Sequence, residues 1–222
     1  MKAGQIAGNN QIATCINVCF GYIDVKDQQK FSKKFHVLAP DSEEKMHTFR
    51  ELILGAYLTS NGFTLRYEYP VCSKTPDWCI LNDKLAVIGI VELGNFHIDR
   101  QTENEIKMRR TLIYWRDGNT NNAARLYRCI QDKADRYRAL ANELKIPYVV
   151  SMFGTIEAAI DFEEVKTCLF DNKIGLFKSC AELSGVLYFE ERGGRYYFGF
   201  ASNPWALHPV NFQSGVFPSP AP

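Results

Sequence analysis

No stretch of this 222-residue chain is apolar for long enough to cross a bilayer. The longest early candidate, IATCINVCFGYI, is interrupted by Asn17 and falls well short of the roughly 20 residues a spanning helix needs. It also lacks the charged start and small-residue cleavage site of a signal peptide. A cytoplasmic protein without membrane contact is therefore expected. An excess of one charge is lacking too. The formal net charge of +1 excludes a nucleic-acid binder that works by bulk charge, but leaves a local basic patch open. Histidine is scarce and unclustered, at His36, His47, His97 and His208. The seven cysteines are scattered, and the Cys15-x-x-x-Cys19 pair has no second pair to complete it. A zinc site built from two tight ligand pairs is not expected, and the thiols read as reduced and mostly buried. The chain has no phosphate-cradling glycine-rich loop, no GxSxG and no Cys–His pairing that can be placed, so a small-molecule enzyme ranks last.

What is present suffices for a core. Hydrophobic residues make up 46% of the chain, and one domain over residues 1–212 is expected, followed by a flexible Pro- and Ser-rich tail at 213–222. INVCFGYID and KKFHVL read as an N-terminal hairpin around the polar turn VKDQQK. APDSEEKMHTFRELILGAYLTSNGF reads as a helix capped by Asp41, with Glu44 in a capping box, Gly62 as its stop, and Met46, Phe49, Ile53, Ala56 and Tyr57 as its apolar face. Three strands follow: TLRYEYPV, DWCIL and the nearly all-apolar LAVIGIVEL, which suits a central strand. Residues 96–122 read as a helix-containing insertion. AARLYRCIQDKADRYRALANELK is a helix ending before Pro147, and IPYVVSMF is a buried strand. That strand–helix–strand order favours parallel pairing. A short helix capped by Asp161 and a C-terminal hairpin turning at Gly193-Gly194 complete the pattern. The fold class is α/β, a central mixed sheet flanked by helices.

Two carboxylates interrupt the apolar strands. Asp77 begins one and Glu92 ends the next. If these strands pair through the turn Asn82-Asp83-Lys84, both acids reach the same end of the sheet. A carboxylate there is costly unless paired or bound to a cation, and Mg²⁺ commonly takes one or two carboxylates. Glu51, on the first strong helix, is a third acid; taken alone it reads better as a rim charge.

Helix with glutamate, strand, Pro76-Asp77, strand, Glu92-Leu93: this order, from about Asp41 to Phe153, resembles the PD-(D/E)XK, or restriction-endonuclease-like, nuclease superfamily. IPYVVSMFG, LSGVLYFE and NPWALHPV look similar to segments of its uncharacterised bacterial members. The resemblance implies a restriction-endonuclease-like core and Mg²⁺- or Mn²⁺-dependent phosphodiester hydrolysis. Asp77, Glu92 and the Leu93 carbonyl would hold the metal, with Glu51 assisting. In the family the lysine of Glu-x-Lys positions the attacking water or offsets developing charge; here that position is Gly94. Lys133 is the candidate replacement. It falls inside the buried stripe Leu126, Ile130, Ala134, Tyr137, Ala141 and Leu144 of the long helix, and Lys133-x-x-x-Tyr137 resembles the Gln-x-x-x-Tyr of exonuclease-type members. The alternative is that Lys133 merely snorkels past the core edge.

From Lys107 to Arg138 nine Lys and Arg stand against three Asp, although the whole chain is nearly neutral. Lys107, Arg109, Arg110 and Arg116, interleaved with Tyr114 and Trp115, suit a surface that tracks phosphates and stacks bases. A solvated helix face is the alternative. The expected activity is cleavage of nucleic acid, in the first instance DNA, with room for a homodimer or a larger complex. The rival is a catalytically degenerate nuclease fold that binds nucleic acid or protein, for which Gly94 is the best argument.

Overall fold

The computed structural model describes residues 3–39, 42–96, 122–154, 160–172 and 175–218. It opens with three helices, α1 (Ala3–Phe20), α2 (Val25–Val37) and α3 (Glu43–Ser60). Strands β1 (Thr64–Tyr67), β2 (Trp78–Leu81) and β3 (Val87–Phe96) follow, then α4 (Asn122–Leu144), β4 (Tyr148–Gly154), α5 (Phe162–Phe170) and α6 (Leu176–Ser179). The chain ends on β5 (Gly185–Arg192), β6 (Arg195–Ser202) and β7 (Gly215–Phe217). The seven strands form one mixed sheet in sequence order. β1, β2 and β3 are antiparallel, β3, β4 and β5 are parallel, and β5, β6 and β7 are antiparallel again. The α/β class, the β2–β3 pairing, the parallel β3–β4 crossover and the C-terminal hairpin all match the sequence reading.

The N-terminal hairpin does not. Residues 16–37 form the end of α1, a short turn and α2 instead. Asp24 caps α2 by accepting from the Lys26 amide at 2.8 Å, and the buried stripe is Asp27 and Phe31, with Phe35 packed partly behind. Asp27 is buried because its Oδ2 accepts from Arg66 Nε at 3.2 Å and from the Tyr67 amide at 3.1 Å. A charged residue therefore occupies the place where a helical pattern would show a hydrophobe. Gly215–Phe217, expected within the flexible tail, instead pairs with β6 as a seventh strand. Ser42, not Asp41, caps α3, accepting from the Lys45 amide at 3.2 Å; Asp41 and all of the expected insertion at 96–122 but its two end residues lie outside the described residues, Phe96 ending β3 and Asn122 starting α4.

Strand alternation sorts the core into two layers. On one face Ile90, Tyr148, Val150 and Met152 meet Leu126, Ile130, Ala134, Tyr137 and Ala141 of α4. On the other, Trp78, Val91, Leu93 and Val149 meet Phe49, Leu52, Ile53 and Ala56 of α3. Two contacts fix α3. In its middle Gly55 lets the Trp78 indole lie against the helix, since a Cβ at residue 55 would stand 2.0 Å from Trp78 Cζ2, and Trp78 Nε1 donates to the Glu51 carbonyl at 2.9 Å. Further along, Tyr57 stacks on Phe198 of β6, with centroids 3.6 Å apart and rings 3° from parallel, and its hydroxyl donates to the Gln213 carbonyl. Among the described residues no helix is long and apolar enough to cross a membrane. All seven cysteines are free thiols.

Candidate metal centre

The Trp78–α3 contact has a direct consequence for chemistry. It sets Glu51 over the start of β2, where Asp77 precedes Trp78. Ligand atoms of His47, Glu51 and Asp77 all lie within 4.8 Å of one another. Asp77 Oδ2 accepts from the Leu93 amide at 2.7 Å, and the Asp77 amide points at Glu92 Oε2 across 3.3 Å. The expected acids Glu51, Asp77 and Glu92 thus converge at one end of the sheet, the first from α3, the second from just before β2 and the third from β3.

Each acid has its own environment. Burial pushes the Asp77 carboxyl up to about 7, with the charges of Glu92 and Glu51 adding to it; the Leu93 amide and Lys133 pull the other way. Burial acts on Glu51 in the same sense. There the hydrogen bond and charge of His47, the Tyr67 hydroxyl and the charge of Lys34 outweigh it and hold Glu51 below the ordinary carboxylate value. The contacts behind this are His47 Nε2 to Glu51 Oε1 at 3.3 Å and a Tyr67 hydroxyl bond to Glu51 Oε2. Lys34 Nζ in turn reaches the Tyr67 oxygen and Glu68 Oε1, both at 2.6 Å. Glu92 is buried, and its Oε1 takes Lys133 Nζ at 3.1 Å and an Arg136 guanidinium nitrogen at 2.8 Å.

Lys133 therefore points at the acids, as its place in the buried stripe led us to expect. Gly94 explains how. A Cβ on residue 94 would lie 2.8 Å from Met152 Sδ and 3.6 Å from Lys133 Cγ. Met152 fills the space into which a side chain at 94 would project, and the Lys133 stem passes beside it at van der Waals distance to deliver an ammonium to Glu92 from α4. Tyr137 sits differently from the expectation of a catalytic group. Its hydroxyl donates to the Thr75 carbonyl at 2.9 Å, two residues before Asp77, so it steadies the approach to β2. Leu93 contributes its amide to Asp77. Lys107, Arg109, Arg110, Trp115 and Arg116 lie outside the described residues.

Sequence reasoning missed His47, Asn95, Tyr67 and Arg136. His47 stands four residues before Glu51, a spacing that puts both on one face of a helix, and that was the available signal. His47 Nδ1 lies 2.8 Å from Asn95 Nδ2, while Asn95 Oδ1 is buried with no hydrogen-bond partner among the described residues. Turning the Asn95 amide by half a turn would give that oxygen the Nδ1–H of His47 and free the Nε2 lone pair on the side of Glu51 and Asp77. An imidazole held by an outer carbonyl in this way is the usual arrangement of a metal ligand. The donor set of two carboxylates and an imidazole suits Mn²⁺, and its carboxylates suit Mg²⁺.

No family model matches the chain, and no curated protein does. Among solved structures it is similar to a chain of the CdiA-CT/CdiI toxin and immunity complex from Burkholderia pseudomallei. The identity is 12%, the coverage 74% of this chain and 92% of that one, and the TM-score 0.36. A likeness that loose says nothing about function, which must be read from the geometry of the site itself.

Proposed function

We propose that the protein is a divalent-metal-dependent nuclease of the PD-(D/E)XK type, hydrolysing phosphodiesters in DNA, with Lys133 in the role of the family lysine. The observation that carries this is the meeting of Glu51, Asp77 and Glu92 at one sheet end, together with the passage of Lys133 over Gly94 to Glu92. Asp77, Glu51 and His47 would hold Mg²⁺ or Mn²⁺, with the Leu93 carbonyl as a further ligand by resemblance. A cation there supplies Lewis acidity to water and to a phosphoryl oxygen. The chain's own residues do the rest. The Leu93 amide fixes the orientation of Asp77, the Tyr67 hydroxyl and the charge of Lys34 favour ionised Glu51, and Glu92 anchors two cations. Of these, the half-buried Lys133 stands where charge on the scissile phosphate would be met, and the more exposed Arg136 faces arriving substrate. Fixed cations aimed at developing charge typically contribute a few kcal/mol each.

The second reading, a catalytically silent fold that binds nucleic acid, draws on one feature: Glu92 is already neutralised by Lys133 and Arg136. Single-turnover cleavage of labelled DNA in Mg²⁺ or Mn²⁺ separates the two. The nuclease reading expects cleavage by the wild type and none by Asp77→Ala. Absence of wild-type cleavage on duplex, single-stranded and branched DNA favours the silent fold.

A further inference from the structure

Between α2 and α3 lies a cavity of about 650 Å³ that ends on the metal centre. Glu51, His47 and Asn95 line its inner end, Lys33, Val37 and Leu38 one wall, and Glu43, Glu44 and Thr48 the other. We infer that this cavity receives an unpaired nucleotide beside the scissile bond, so that the substrate is single-stranded nucleic acid or a frayed end. The inference rests on the nuclease reading above.

Size comes first. A volume of about 650 Å³ is in the class that buries one group of drug or nucleotide size, and the two backbones of a duplex cannot both enter it. The wall chemistry is divided to match. Lys34 is committed to Glu68 and the Tyr67 hydroxyl, whereas Lys33 beside it is exposed and available to a phosphate. Val37 is an aliphatic side chain left 78% exposed at the end of α2, and with Leu38 it offers an apolar face to a base. Glu43 and Glu44 repel phosphate and can accept from the amino groups of a base edge. The phosphate is thereby directed to Lys33, and the base lies against Val37 and Leu38 with its edge toward Glu43 and Glu44. None of these groups discriminates between ribose and deoxyribose.

The test measures binding first, without metal. Fluorescence anisotropy in EDTA is recorded for a labelled short DNA strand, the equivalent RNA strand and a blunt DNA duplex. The proteins are wild type, Lys33→Glu, Val37→Glu and Lys84→Glu, the last an exposed lysine on the β2–β3 turn. We expect at least one single strand to bind about tenfold more tightly than the duplex. That preference should be lost in Lys33→Glu and Val37→Glu and retained in Lys84→Glu. Equal affinity for strand and duplex, or indifference to substitution at 33 and 37, overturns the inference. Cleavage in Mn²⁺ then separates it from the reading beneath it. Blunt duplex cut as fast as single strand overturns the cavity assignment and leaves the nuclease. Preferential strand binding with no cleavage of any substrate overturns the nuclease and leaves the cavity as a single-strand site.

Discussion

Replacing Asp77 by Asn removes one charge from an end of the sheet that holds three acids, and keeps an oxygen to accept from the Leu93 amide. In the metal-free protein Asp77 loses its proton only near pH 7, against 3.8 for the free side chain. Below pH 4 the group is protonated in both folded and unfolded chains and costs nothing. Between pH 4 and 7 the folded chain retains a proton that the unfolded chain gives up, so wild-type stability falls as pH rises, and above 7 the loss is complete. A shift from 3.8 to about 7 corresponds to ~4 kcal/mol; water reaching this half-buried group lowers the expected effect to about 2 kcal/mol. Asp77→Asn should therefore be more stable than wild type in EDTA by about 2 kcal/mol at pH 8, with the gap closing toward pH 4. Urea denaturation at pH 5, 6, 7 and 8 reads this as a displaced midpoint at constant slope. Excess Mn²⁺ should stabilise the wild type, by ~2.7 kcal/mol at a hundredfold excess over Kd, and leave the variant unmoved. A gap that is absent, reversed or independent of pH would refute the reasoning, because it would mean that Asp77 bears neither the burial cost nor the repulsion of Glu92 and Glu51.

The same geometry fixes three further outcomes. Lys133→Met should keep Mn²⁺-dependent stabilisation yet slow single-turnover cleavage roughly 10²- to 10³-fold; an unchanged rate would remove Lys133 from the reaction. Gly94→Ala should cost about 1–3 kcal/mol in urea denaturation, because Met152 must give way; a variant as stable as wild type would show that the space over residue 94 is slack. Neutralising Arg109, Arg110 and Arg116 together should flatten the salt dependence of DNA affinity by roughly 2 to 3 in log–log slope, and an unaltered slope would leave that segment as plain solvated surface.

The parts of the site that were legible in the sequence were those governed by local rules. A carboxylate at the end of an apolar strand stands out because burying it is expensive, which marked Asp77 and Glu92. A lysine inside a 100° stripe stands out for the same reason, and Lys133 proved to be aimed at Glu92. What escaped depended on contacts between distant segments. α2 was unreadable because one of its two buried residues is Asp27, whose hydrogen bonds come from Arg66 and Tyr67 on a strand some forty positions on. His47 acquires meaning only when Gly55 and Trp78 fix the distance between α3 and β2. β7 is three residues long and is recognisable only beside β6.

Helix α3 touches the protein's two ends at once. Glu51 sits over Asp77, and Tyr57, six residues on and about 9 Å along the axis, is clamped between Phe198 and the Gln213 carbonyl. The helix is therefore a brace across the sheet, with the acids at one foot and the last two strands at the other. Tilting the far foot changes the bite between Glu51 and Asp77 without touching either. Deleting the chain from Gln213 onward, or replacing Tyr57 by Leu, should therefore loosen the His47–Glu51–Asp77 cluster from a distance, as would anything that grips or displaces the C-terminal strand.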